Sequence, residues 1–310
     1  MNKASELNLV GITRYIVLLL LSVLIISCGT ESTEVVIDSD EPTKATEYQR
    51  VVSLAPSITE ILFALGQGNK VVGVTEYCDY PPEALEKRVI GGYATPSLEA
   101  IVRCTPDLVA LLEEHQDLRG QLDKLGIPYV TVNHINIVGI KSSIAALGKT
   151  LGAEAQAKVI FDDMDRRIER IQTLTKDKPR SRVLLSVGRH GGEGVQSLFI
   201  AGPGSFFDDL ISIAGGENVY EGTVPYPSIS AEGAVQMDPE VIIDIVPDLP
   251  EDQKSTIAKD WNTIPEVQAV ANGRVHVLGD DYVAVPGPRF ILTLEQMAEV
   301  FHPDVDWDTP

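Results

Sequence analysis

Ser97-Leu98-Glu99-Ala100-Ile101-Val102, followed by Pro106-Asp107-Leu108-Val109, returns later in the chain. The second copy is Ser230-Ala231-Glu232-Gly233-Ala234-Val235, followed by Pro239-Glu240-Val241-Ile242. Ser97 matches Ser230, Glu99 matches Glu232 and Pro106 matches Pro239, all at one constant displacement. Each copy reads as a short helix, a proline-containing turn and a buried strand. A solenoid stacks three or more such units, so two distant copies point to two similar lobes.

The flanking sequence fits that reading. Strands are expected at Arg50–Leu54, Val71–Val74, Leu108–Leu112 and Pro128–Val132. Helices are expected at Ile58–Leu65, where Ser57 and Glu60 have the S-x-x-E spacing of a capping box, and around Leu118–Leu125. Apolar strands alternating with helices imply a mostly parallel sheet covered on both faces. Ala153 to Asp177 differs. Ala157, Ile160, Phe161, Met164, Ile168, Ile171 and Leu174 share one helical face, with no Gly or Pro in the run. About 25 helical residues span roughly 37 Å, enough for a rigid spine between the lobes. Beyond it come a strand at Arg182–Val187, a Gly-rich loop at Gly188–Gly194 and a helix after Ser205. Strands at Val241–Val246 and Arg274–Leu278 and a last helix at Phe290–Phe301 complete the chain. The expected fold is α/β: two Rossmann-like lobes with mostly parallel sheets, at 50–150 and 179–302, joined by one long backbone helix at 151–178, with a tail at 303–310.

The formal charge of −20 argues against nucleic-acid binding, which needs a basic surface. Lys3 and Arg14 precede an apolar run from Ile16 to Ile26. That run is shorter than the ~20 residues a bilayer span requires and suits a secretory leader over 1–27. It ends Ile25-Ile26-Ser27-Cys28-Gly29, which resembles a bacterial lipobox; the resemblance implies cleavage before Cys28 and lipid on its sulfur. Residues 28–49 are acidic and poor in apolar side chains, and read as a disordered tether.

Few constellations carry chemistry. Gly188 to Gly194 lacks the Lys of a phosphate loop. His115, His134 and His190 fall just past strands, where open α/β sheets bind ligands, but no pair has metal-ligand spacing. No G-x-S-x-G marks a nucleophile. Cys78 and Cys104 fall at opposite poles of one unit and read as free thiols. Tyr77, Tyr93, Tyr226 and Tyr282 each follow a strand or a Gly/Pro-rich loop. Such aromatic faces suit a large, flat, partly apolar ligand.

Val51-Val52-Ser53-Leu54-Ala55-Pro56-Ser57-Ile58-Thr59-Glu60, Glu76-Tyr77-Cys78-Asp79-Tyr80-Pro81-Pro82, the two repeat copies and Gly216-Glu217-Asn218 together resemble the helical-backbone (class III) solute-binding proteins of ABC importers. These carry cobalamin, haem or ferric siderophores, and the likeness is strongest to the cobalamin (vitamin B12) branch. The resemblance covers roughly 50–300. It implies a cleft ligand, no catalytic cofactor, no enzyme activity and no resident metal. It places the corrinoid against Ser57, Tyr77, Tyr93, Tyr226, Asp281 and Tyr282. It also places Glu99 and Glu232 on the lobe tops, facing permease arginines, with the cytoplasmic ATPase beyond. A monomer is expected, held at the outer side of the cytoplasmic membrane or in the periplasm. There are departures: Tyr93, Tyr226 and Tyr282 stand where the branch has Trp, Leu112 where it has another aromatic, and Val285 where it has Arg. Arg189 and Arg289 are candidate cations for an anionic siderophore. Haem or a ferric siderophore in the same fold is the neighbouring reading. A corrinoid- or metal-processing enzyme and a surface scavenger outside transport are the readings from other classes.

Overall fold

Val51, Val52 and Ser53 are fully buried, as a strand covered on both faces must be, and form β1 at the centre of the first sheet. A computed structural model describes residues 47–189 and 194–308. The leader, Cys28, most of the tether and His190 lie outside the described residues.

After β1 (Val51–Ser53) come α1 (Pro56–Ala64), β2 (Val71–Val74), β3 (Arg88–Val89), α2 (Leu98–Arg103), β4 (Leu108–Leu112), α3 (Gln116–Leu125), β5 (Tyr129–Val132) and α4 (Ile137–Leu151). The five strands lie in the order β3-β2-β1-β4-β5, every pairing parallel. Helix α4 was not foreseen, though its signal is present. Ile137, Ile140, Ile144, Leu147 and Leu151 recur at helical spacing and all are buried.

The spine is α5 (Glu154–Thr175), 22 residues long. Ala157, Met164 and Ile171 are buried along one stripe. Lys141 holds Asp165 at 2.6 Å from α4, and Arg167 holds Glu295 at 2.7 Å from the last helix. Among the described residues no helix is long and apolar enough to cross a membrane.

The second lobe runs β6 (Ser181–Arg189), β7 (Ser197–Ile200), α6 (Phe206–Ile213), β8 (Gly216–Asn218), β9 (Ser228–Ser230), α7 (Ala231–Met237), β10 (Val241–Ile245), α8 (Glu251–Lys259), α9 (Gln268–Ala271), β11 (Val275–Leu278) and α10 (Phe290–Phe301). Its order is β11-β10-β6-β7-β9, with β8 also on β6. Strands β8, β10 and β11 join in parallel, while β7 and β9 are antiparallel. The antiparallel edge departs from the uniform parallel pattern. Leu198 and Ile200 are buried while Ser197 and Phe199 are exposed, the alternation of a strand with one wet face.

The repeat is deeper than its motif. Ser97 Oγ accepts from the Ala100 amide at 3.2 Å, and Ser230 Oγ from the Gly233 amide at 3.3 Å, capping α2 and α7 alike. Thr105 (φ 45°) and Asp238 (φ 42°) both turn left-handed just before the shared proline. Arg50 donates to the carbonyls of Cys104 (2.6 Å) and Thr105 (3.0 Å). Arg182 donates to Met237 (2.7 Å) and Asp238 (2.9 Å). Each lobe thus pins its central strand to the C-terminus of its repeat helix with a cation, which the helix dipole favours. One apolar core runs through both sheets and the spine, from Val51 and Ile144 through Met164 to Val183, Val241 and Leu294.

Candidate functional site

The strands of the first sheet all point the same way, so the turns after them gather at one edge. Ala55, Pro56 and Ser57 follow β1, Tyr77, Asp79 and Tyr80 follow β2, and Tyr93 follows β3. Facing them are Pro247 and Asp248 after β10 and the segment 281–289 after β11. Two adjoining cavities result. The larger, about 340 Å³, is lined by Ala55, Pro56, Ser57, Tyr77, Tyr93, Leu112, Ala284, Val285 and Pro286, with no charged side chain among the described residues that line it. The smaller, about 200 Å³, brings Glu60, Asp79, Asp248, Asp281, Tyr80 and Arg289 together with Tyr77.

Of the residues singled out in the sequence, Ser57, Tyr77, Tyr93 and Asp281 line these cavities. Tyr282 stands behind them: its hydroxyl accepts from Gln296 at 2.9 Å, and burial with the Asp280 charge pushes its phenol up to about 12. Tyr226 lines neither cavity, and burial raises its phenol above the ordinary range.

The S-x-x-E spacing of Ser57 and Glu60 predicts a capping box, and the structure replaces it. Ala55 occupies the cap position and Pro56 begins α1, so neither side chain is needed at the helix end. Ser57 Oγ lies 2.7 Å from His134 Nδ1, and Glu60 accepts from Arg289 at 2.7 Å. Both side chains are turned to the site instead.

The histidines fix the aromatic wall. His115 Nδ1 accepts from the Leu112 amide at 3.2 Å, so its other nitrogen carries the proton and donates to the Tyr93 carbonyl at 3.0 Å. The Tyr93 hydroxyl donates to Glu114. Burial, then that carboxylate, holds the phenol well above its ordinary range, so it stays a neutral donor. Burial pushes His134 down to about 4, against the opposing charge of Glu114, and its Nε2 has no partner. Among the described residues no three His, Cys, Asp or Glu side chains form a metal site. Cys78 and Cys104 are buried and unbridged.

One of the two candidate cations, Arg289, joins the lobes at this cleft through partners that no local spacing indicates. Arg289 donates to Glu60 of the first lobe and to Asp281 of the second, each at 2.7 Å. Its guanidinium carbon lies 3.6 Å over the Tyr80 ring. Arg189, the other candidate cation, is spent inside the second lobe, bonded at 2.8 Å to both Asp244 and Asp260.

Glu99 and Glu232 occupy the first turns of α2 and α7 and are exposed. Their surroundings differ. Arg103 holds Glu99 at 2.6 Å, whereas the matching position in the second copy is Gln236. The neighbouring Ser230 side chain and its own amide hold the Glu232 carboxyl below the usual range.

Residues 51–282 match the periplasmic binding protein family. The chain is 28% identical to an uncharacterized ABC transporter substrate-binding lipoprotein of Bacillus subtilis, YvrC, over 93% of this chain and 96% of that one. It is 29% identical to a cobalamin-binding protein of Halobacterium salinarum, over 89% and 75%. Two solved structures share the architecture. A periplasmic haem-binding protein from Pseudomonas aeruginosa has a TM-score of 0.73 at 26% identity, covering 84% of this chain and 94% of that one. A periplasmic vitamin B12-binding protein of Vibrio cholerae has a TM-score of 0.70 at 26% identity, covering 83% and 97%. The chain belongs to the periplasmic binding protein family and has its helical-backbone architecture.

Proposed function

We propose that this periplasmic binding protein captures cobalamin or a related corrinoid in its inter-lobe cleft and delivers it to an ABC permease with its cytoplasmic ATPase. In this reading it performs no catalysis and is held at the cell envelope by lipid on Cys28.

One observation supports the ligand class above the rest: the balance of charge in the polar cavity. Among the described residues, Glu60, Asp79, Asp248 and Asp281 face a single cation, Arg289, which is already engaged by two of them. Haem carries two carboxylates, which would meet like charge there. A corrin ring is fringed with amides, whose N–H groups suit carboxylate acceptors. Beside this floor, the uncharged cavity offers the Tyr77 and Tyr93 rings and the Leu112 and Val285 side chains to a ring face. Glu99 and Glu232, exposed at helix starts on different lobes, fit pairing with permease arginines.

A second reading, haem, draws on Tyr77. Its side chain is 63% exposed at the cleft, and a phenolate can ligate ferric iron. Calorimetric titration of the chain from Gly29 onward with cyanocobalamin, haemin and a ferric siderophore separates the two. Saturation by cyanocobalamin at about micromolar concentration or below is expected. Saturation by haemin or the siderophore with no heat from cyanocobalamin would overturn the corrinoid assignment.

A further inference from the structure

We infer that Arg289 is a positioning residue of the cleft: it ties the first lobe to the second and sets the angle at which Tyr80 and Asp281 face a ligand. Four groups surround its guanidinium. Glu60 and Tyr80 come from the first lobe, Asp281 and Tyr282 from the second. Glu60 and Arg289 are 229 residues apart, and their side chains are 3% and 15% exposed. The backbone beside Arg289 closes the same seam. A Cβ on Gly287 would stand 3.1 Å from Glu60 Oε2 and 3.4 Å from Ser57 Cα, so the glycine lets this second-lobe segment lie flush on the first turn of α1.

The bridge is poorly suited to adding stability. Desolvation of a buried ion pair offsets most of its attraction. Here Glu60 Oε2 and Arg289 Nε lack any partner, and burial is the largest influence on the Glu60 carboxyl, raising its pKa against the pull of Arg289. The lobes are already held by the shared core and, at another point of the seam, by Asp209 accepting from the Ile137 amide at 3.0 Å. What the bridge adds is register. Arg289 fixes one carboxylate from each lobe at a set separation and stacks on the Tyr80 ring. The inference goes beyond the identity of the cargo and does not depend on it.

The test uses the full-length protein in detergent, spin-labelled at exposed Asp123 in the first lobe and Asn272 in the second after mutation of each to Cys. Pulsed dipolar spectroscopy reads the distance between them. The Glu60→Gln/Arg289→Met pair removes both charges without leaving an unpaired buried one. The expected result is a narrow distance distribution in the parent and a visibly broader one in the double variant, at nearly unchanged melting temperature. Cyanocobalamin, used as probe, should leave the variant roughly tenfold faster. A distribution as narrow as the parent's would overturn the inference, whatever happens to affinity. If the double variant does not fold, Arg289→Lys keeps the cation but cannot span both carboxylates. The same broadening is expected from it, and its absence overturns the inference equally. Failure of the parent to bind cyanocobalamin would sink the corrinoid reading and leave the distance measurement standing.

Discussion

In the first lobe Arg50 grips the carbonyls that end α2; in the second, Arg182 grips those that end α7. The serine caps and the left-handed turns before proline match as well. Beyond that frame the lobes diverge. The first supplies six of the nine residues lining the uncharged cavity and an all-parallel sheet. The second supplies one crossing segment, two aspartates that answer Glu60 and Asp79 across the floor, and an antiparallel edge. The matching parts are those that backbone hydrogen bonding demands of any such unit. The differing parts face solvent or ligand, where the frame places no demand.

The comparison can be broken most severely at the glutamates. Under the proposed docking, Glu99→Lys with Glu232→Lys is expected to bring cobalamin uptake by cells near background while purified protein still binds ligand. Glu232→Lys alone should cost more than Glu99→Lys alone, because Arg103 already offsets Glu99. Equal losses would mean that Arg103 swings clear on docking.

A smaller effect sets His134 of the first lobe against His302 of the second. Both are buried and both are pushed down by burial. His302 Nε2 has the Ala214 carbonyl at 3.1 Å, while His134 Nε2 has no partner. A pKa lowered to about 4 in the folded state means the unfolded chain binds the extra proton between that value and the ordinary imidazole value of 6.5. The His134 contribution is therefore complete above about pH 6.5 and is lost as pH falls toward 4, a drop on the order of 3 kcal/mol. Urea unfolding at pH 7.5 and 4.5 measures it. His134→Gln should flatten that slope more than His302→Gln.

The smallest effect lies among the tyrosines. Tyr77→Ala should weaken ligand binding roughly tenfold to a hundredfold, as loss of a stacking face does. Tyr226→Ala should leave affinity nearly unchanged, because it lines neither cavity. Comparable losses in calorimetry would extend the cleft across the second lobe.

Much of the architecture was legible because its signals are local. The repeat, the unbroken apolar stripe of the spine and the glycine end of α3 each declare themselves within a few turns of chain. The site was legible only in part. Ser57 and Glu60 sit at a spacing with a strong local meaning, yet Pro56 begins the helix and their real partners, His134 and Arg289, are far away in sequence. The Tyr positions follow loops that reach the surface, and loop chemistry does not say which side of a lobe a ring will occupy. That is why Tyr77 and Tyr226 read alike, though only Tyr77 of the two lines the cavities.

The unbroken core has a thermal meaning. Ile144, Met164 and Leu294 belong to one apolar body, so neither half can melt without wetting apolar side chains of the other. Heating should give one heat-absorption peak for the folded region, with calorimetric and van't Hoff enthalpies in agreement. A cargo molecule held between the halves then protects both at once, and the melting temperature of the whole molecule becomes a gauge of what fills the cleft.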